Sequence, residues 1–140
     1  MARKPLRVVV DTNVLVSAIG FGGKPRQIWQ GVVEGEVEAV TSASLLAELG
    51  GVLRKKMRYS PARVNQVMGQ LAEVVEMVHP VQVVDVCRDP EDNRVLEAAV
   101  EADCDYVVTG DKDLLTLRRY KSVQILTPAE FIDRLQGLAL

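Results

Sequence analysis

At 140 residues and 15.4 kDa, with 48% hydrophobic residues, the chain has the size and apolar content of a single domain, 1–140, built on one core. Its 17 basic and 19 acidic residues give a formal charge of −2, which lacks the basic footprint of a strong duplex binder. No apolar run approaches membrane-spanning length, and Met1-Ala2-Arg3-Lys4-Pro5 leads into a strand rather than a signal-peptide core, so a soluble, cytoplasmic protein is expected.

Leu6 to Val10 is a β-branched run that reads as a strand buried on both faces, and it stops at Asp11-Thr12-Asn13. In an open parallel sheet, the crevice beyond the carboxyl ends of the strands receives ligands, which puts Asp11 at a candidate site. Val14 to Ile19 predicts a short helix ending at Gly20-Phe21-Gly22-Gly23, and Pro25 can open a second helix to about Glu34. Glu36 to Val40 alternates as a strand. Leu45, Leu46, Leu49, Val52 and Leu53 form a helical stripe from Ser42 to about Lys56, with Glu48 at its margin, about 40° around the helix from Val52.

Ser60-Pro61 predicts an N-cap followed by proline at the first helical position, and the apolar stripe from Val64 continues that helix to Val78, where His79-Pro80 stops it. Val81 to Val86 reads as a strand or an extended link. Asp89-Pro90 starts the next helix, with Asp89 as its cap. Asp92 precedes Val95, Leu96 and Ala99 at i+3, i+4 and i+7, which places an acid on the apolar stripe, whereas Glu97 and Glu101 read as solvated charges. A strand at 105–109 ends in Gly110-Asp111-Lys112-Asp113. A short helix through Arg119 follows, then the strand Val123–Leu126, and Thr127-Pro128-Ala129-Glu130 is a capping box opening a last helix through about Leu135. Strands alternating with helices predict an α/β fold with a mostly parallel sheet.

Cys87 and Cys104 lack Cys-x-x-Cys spacing and have a lone histidine, His79, to work with, so they read as apolar thiols rather than zinc ligands. The basic clusters Arg54-Lys55-Lys56-Met57-Arg58 and Arg118-Arg119-Tyr120-Lys121 either flank an acidic pocket or complement helix dipoles. Each acid singly has a structural alternative as a cap or a helix-edge charge. Together, Asp11 and Asp111 end strands while Glu48 and Asp92 border helix faces that pack on the sheet, and carboxylates ~4 Å apart repel by about 4 kcal/mol at an effective dielectric near 20. An all-oxygen set of this kind selects Mg²⁺ or Mn²⁺, ions that activate water and neutralise charge on a phosphodiester. Neither a Gly-x-x-x-x-Gly-Lys phosphate loop nor a Gly-x-Ser-x-Gly nucleophile elbow is present.

Val10-Asp11-Thr12-Asn13, Ser44-Leu45-Leu46-Ala47-Glu48-Leu49, Asp89-Pro90-Glu91-Asp92-Asn93 and Val108-Thr109-Gly110-Asp111-Lys112-Asp113-Leu114, in that order, resemble a PIN domain, in particular toxins of toxin–antitoxin pairs related to VapC ribonucleases. The resemblance implies a three-layer αβα sandwich around a central, mostly parallel sheet, and a Mg²⁺- or Mn²⁺-dependent endoribonuclease acting on single-stranded RNA. It also implies a homodimer and an antitoxin partner. Position by position it makes Asp11, Glu48, Asp92 and Asp111 the catalytic acids. Asp113 is an additional acid, so that Asp11, Asp92, Asp111 and Asp113 would hold the metal, with Asn13 and Thr109 as supporting residues. The motif alone does not separate Asp89 from Asp92; the stripe geometry favours Asp92. The competing expectation is a PIN-like module whose acids bind metal without turnover.

Overall fold

A computed structural model describes residues 4–138; the start Met1-Ala2-Arg3 lies outside the described residues. The chain runs β1 (Leu6–Val10), α1 (Thr12–Gly20), α2 (Gly23–Val33), β2 (Val37–Thr41), α3 (Ala43–Lys55), α4 (Pro61–Ala72), β3 (Val75–Met77), α5 (Pro90–Glu101), β4 (Tyr106–Val108), α6 (Lys112–Leu117), β5 (Arg119–Tyr120), β6 (Val123–Leu126) and α7 (Pro128–Leu138). The six-stranded sheet has the order β3-β2-β1-β4-β6-β5, and every pairing is parallel except that of β5 with β6. From β1 the chain builds outward through β2 and β3, then crosses back to lay β4 against the other side of β1. That reversal makes the β1/β4 boundary the switch point of the sheet, where side chains at the carboxyl ends line a crevice.

Alternation along β1 sends Val8 and Val10 into one core and Val9 into the other. The first core is closed by Val14, Ile28, Val32, Phe131 and Ile132 of α1, α2 and α7, and the second by residues of α5 and α6 with Leu45 of α3. Both sheet faces are thus covered, which is the expected αβα sandwich. A third cluster, with Val16, Leu49, Leu53, Val64 and Leu71, packs α3 and α4 against α1. Among the described residues no helix is long and apolar enough to cross a membrane.

Most expected elements are present, including the Thr127–Glu130 capping box, in which each residue accepts the other's amide at 3.0 and 3.1 Å. Three differ. The second helix begins at Gly23, before Pro25, because Gly22 and Gly23 adopt φ of +91° and +68° and turn the chain into the helix early. α4 ends at Ala72 rather than Val78: Val75–Met77 is an edge strand whose Val75 pairs with Ala39, and Val78 N–H donates to Thr41 O at 2.9 Å. Apolar spacing persists through both segments, so only the vacant edge of β2 decides between helix and strand. α6 stops at Leu117, where Arg118 takes φ +59°, and Arg119–Tyr120 turns back onto β6 as β5. Of the two expectations for Val81 to Val86, a strand or an extended link, the structure takes the link, which runs from 78 to 89 without a strand.

That link is held by α5. Glu101 accepts Val81 N–H at 3.0 Å, Glu97 accepts Val84 N–H at 2.9 Å, and Asn93 Oδ1 accepts the amides of Val86 and Cys87 at 3.0 and 2.9 Å. Glu97 and Glu101 are therefore tethers, not the free solvated charges expected. Asn93, Glu97 and Glu101 recur every fourth residue, a spacing that puts them on one helix ridge and was readable in the sequence. Both cysteines are free thiols; Cys104 is buried, and burial pushes it up to about 12.

Candidate metal centre

β1 delivers Asp11 at its last turn into α1, where the buried carboxylate caps the helix: Oδ1 accepts Thr12 N–H at 2.7 Å. Beside it β4 delivers Thr109, fully buried, whose hydroxyl donates to Asp11 Oδ2 at 2.7 Å and accepts Asp111 N–H at 3.0 Å. One hydroxyl thus welds the ends of two adjacent strands. Asp111 in turn caps α6, its Oδ1 accepting the amides of Asp113 and Leu114 at 2.8 and 3.3 Å.

α5 brings the next acid from the opposite direction. Asp89 Oδ1 accepts Glu91 N–H at 3.0 Å as the N-cap, so its side chain serves the helix start, whereas Asp92 lies one turn in and is only 5% exposed. Its Oδ2 is buried and has no hydrogen-bond partner. Carboxylate oxygens of Asp92, Asp111 and Asp113 lie within 4.8 Å of one another. Repulsion at that separation is of order 3 kcal/mol per pair at an effective dielectric near 20. Burial, together with the fields of Asp111, Asp89, Asp11 and Asp113, pushes Asp92 up to about 7. Burial also raises Asp11, against the pull of its bonds to Thr109 and Thr12.

Glu48 reaches the same region from α3. Its Oε2 is buried without a partner, and burial, the Glu91 carboxyl and Asp11 push the group up to about 7 against the opposing contact from Thr12. A cleft of about 540 Å³ lined by Ser44, Ala47, Glu48, Pro90, Glu91 and Arg94 opens between α3 and the start of α5.

The sheet therefore gathers acids from four separate stretches, but not in equal roles. The converging trio is Asp92, Asp111 and Asp113; Asp11, expected as a ligand, lies outside that trio, with both oxygens already hydrogen-bonded. Thr109 contacts the acids directly. Asn13, expected as a support, is exposed on α1, and among the described residues its side chain makes no hydrogen bond. It points into solvent because Thr12 and Val14 take the buried positions of that turn. Asn93, which follows Asp92 in the Asp89–Asn93 motif, fixes the loop that carries Arg88 and Asp89. Three hard oxygen donors, one of them from a buried carboxylate with an unpartnered oxygen, fit a divalent cation of the Mg²⁺ class.

Residues 7–113, from β1 through the last acid of the trio, match the PIN domain family. The chain belongs to that family. This PIN domain is 32% identical to the uncharacterized protein MJ1680 of Methanocaldococcus jannaschii, over 97% of the chain and 96% of the relative. Solved structures share its fold at low identity. VapBC-1 from nontypeable Haemophilus influenzae matches with a TM-score of 0.62 and 14% identity over 89% of this chain and 99% of that one. VapC20 of Mycobacterium tuberculosis, a sarcin–ricin loop cleaving toxin, matches at 0.58 and 15% over 84% and 98%. VapBC2 of Rickettsia felis, in a complex with promoter DNA, matches at 0.58 and 13% over 86% and 97%. The αβα arrangement is that of the VapC toxins.

Proposed function

We propose that this PIN domain is a Mg²⁺- or Mn²⁺-dependent endoribonuclease that hydrolyses phosphodiester bonds of single-stranded RNA, as the toxin of a toxin–antitoxin pair. Its 140 residues act as one catalytic domain in the cytoplasm, paired as a homodimer. The observation that carries the reading is the convergence of carboxylate oxygens of Asp92, Asp111 and Asp113, in which Asp92 is buried and keeps its Oδ2 unpartnered. Family membership supports it, as does the shared fold with VapC20; the VapBC pairs among the structural neighbours support an antitoxin partner.

Asp92, Asp111 and Asp113 would hold the cation, and Asp11 orders the site through Thr109. When bound, the cation neutralises charge on the phosphodiester and acidifies water. The chain's own groups do the rest. Asp111 is locked by the two amides it caps, so little reorganisation is needed to present its second oxygen. Glu48, held near 7, takes up and releases a proton at Oε2 close to neutral pH, which suits a base for an attacking water.

His79 is exposed beyond β3 and lines a separate pocket with Ser42 and Glu97, whose lining includes none of Asp92, Asp111 and Asp113, so it supplies no acid–base group to the trio for attack by the ribose 2′-hydroxyl. The products should accordingly carry 5′-phosphate and 3′-hydroxyl ends. Cleavage of labelled single-stranded RNA with Mn²⁺, followed by mapping of the termini, tests this; Asp11→Asn or Asp111→Asn should slow it by roughly two orders of magnitude. Cyclic 2′,3′-phosphate ends, or cleavage that survives EDTA, would overturn the mechanism. Mn²⁺ binding with no cleavage of any RNA would instead leave a metal-binding interaction module.

A further inference from the structure

The trio already touches a cation. Arg88 Nη2 lies 2.9 and 3.0 Å from the two oxygens of Asp113, and its side chain is otherwise 87% exposed. The backbone on both sides of Arg88 is anchored to the helix that carries Asp92: Asn93 holds the amides of Val86 and Cys87 and donates to Cys87 O at 3.3 Å, while Asp89 caps α5. Position thus assigns the guanidinium to the site, but an ion pair so exposed is weakly held.

Asp113 has two claims on it. Its oxygen belongs to the convergent trio, and both its oxygens face Arg88. A divalent cation ligated by Asp113 draws that carboxylate's charge to itself and repels the neighbouring guanidinium. Arg88 would then be left free at the rim, on a loop anchored by Asn93 and Asp89. Any phosphodiester approaching a cluster of four or more carboxylates needs a compensating positive group there, and a guanidinium offers planar paired donors that match two phosphate oxygens.

We propose that Arg88 is an exchangeable counter-ion, paired with Asp113 in the metal-free protein, displaced when a divalent cation takes that carboxylate, and then bound to a phosphate of the RNA strand. The proposal rests on the trio being a metal site, and its test separates the two. Mn²⁺ is titrated calorimetrically into the wild-type protein, Arg88→Gln and Arg88→Lys, and each is assayed on labelled single-stranded RNA at saturating Mn²⁺. Arg88→Gln should bind Mn²⁺ about fivefold more tightly, the scale of one exposed ion pair, and raise KM about tenfold with kcat within about twofold. Arg88→Lys, which keeps the charge but not the paired donors, should restore near-wild-type Mn²⁺ affinity and recover only part of the KM. Loss of the same ion pair should lower the melting temperature of metal-free Arg88→Gln by only about 2–4 °C, with Arg88→Lys close to the wild type. No heat of Mn²⁺ binding to the wild type would overturn the metal site itself. Normal wild-type binding with unchanged affinity in Arg88→Gln would overturn the counter-ion role alone, and an unchanged KM would overturn the phosphate contact.

Discussion

Replacing Asp92 by asparagine should stabilise the metal-free fold at pH 8 and leave it nearly unchanged at pH 4. The folded protein raises this carboxyl from 3.8 to about 7, so between those values the native state keeps a proton that the unfolded chain has lost. Stability then falls as pH rises through that window, and the full penalty applies above about pH 7. At about 1.4 kcal/mol per pH unit the upper bound is about 4 kcal/mol. Because the penalty is shared with Asp111, Asp89, Asp11 and Asp113, and the new amide is itself buried, about 2 kcal/mol is the expected net gain at pH 8, or roughly 4–8 °C in melting temperature. Thermal melts of both proteins in EDTA at pH 4.5, 6 and 8 measure it. In millimolar Mn²⁺ the order should reverse, since ligand binding stabilises only the protein that retains the site. A gain of equal size at every pH, or a loss at pH 8, would refute the view that like-charge crowding and burial at Asp92 cost stability.

Thr109→Val keeps the shape of the side chain but leaves Asp11 Oδ2 and Asp111 N–H without their bond, which should cost about 2–3 kcal/mol in urea unfolding; Thr109→Ser should restore most of it. Asp89→Asn should cost less than about 0.5 kcal/mol, because asparagine caps as well as aspartate, and should leave Mn²⁺ affinity within about threefold, whereas Asp92→Asn should abolish calorimetric Mn²⁺ binding. The reverse pattern would exchange the two assignments.

Much of the architecture was legible in the chain because its signals are local. The β-branched run before Asp11, the proline-led helix starts at Ser60-Pro61 and Asp89-Pro90, and the capping box at Thr127 each act over a few residues. The oddity of an acid on an apolar stripe also singled out Asp92, and the fold places it buried with an unpartnered oxygen. What the sequence could not supply was pairing across distance. Helical spacing runs unbroken from Val64 to Val78, yet the open edge of β2 claims Val75–Met77 as a strand, since backbone bonds to a neighbouring strand outweigh a continued stripe. Glu97 and Glu101 look solvated on a helix wheel until residues 81–87 lie across α5.

The same division governs the site. The chain specified which acids end strands and begin helices, but only the parallel pairing of β1 with β4 puts Thr109 between Asp11 and Asp111. Only the packing of α5 on the sheet brings Asp92 to Asp111 and Asp113 and leaves Asp11 satisfied by neighbours instead of joined to that trio. Propensity and capping are set by neighbours in sequence, whereas the convergence of charges depends on a crossover that places residues from opposite ends of the chain within a few ångströms.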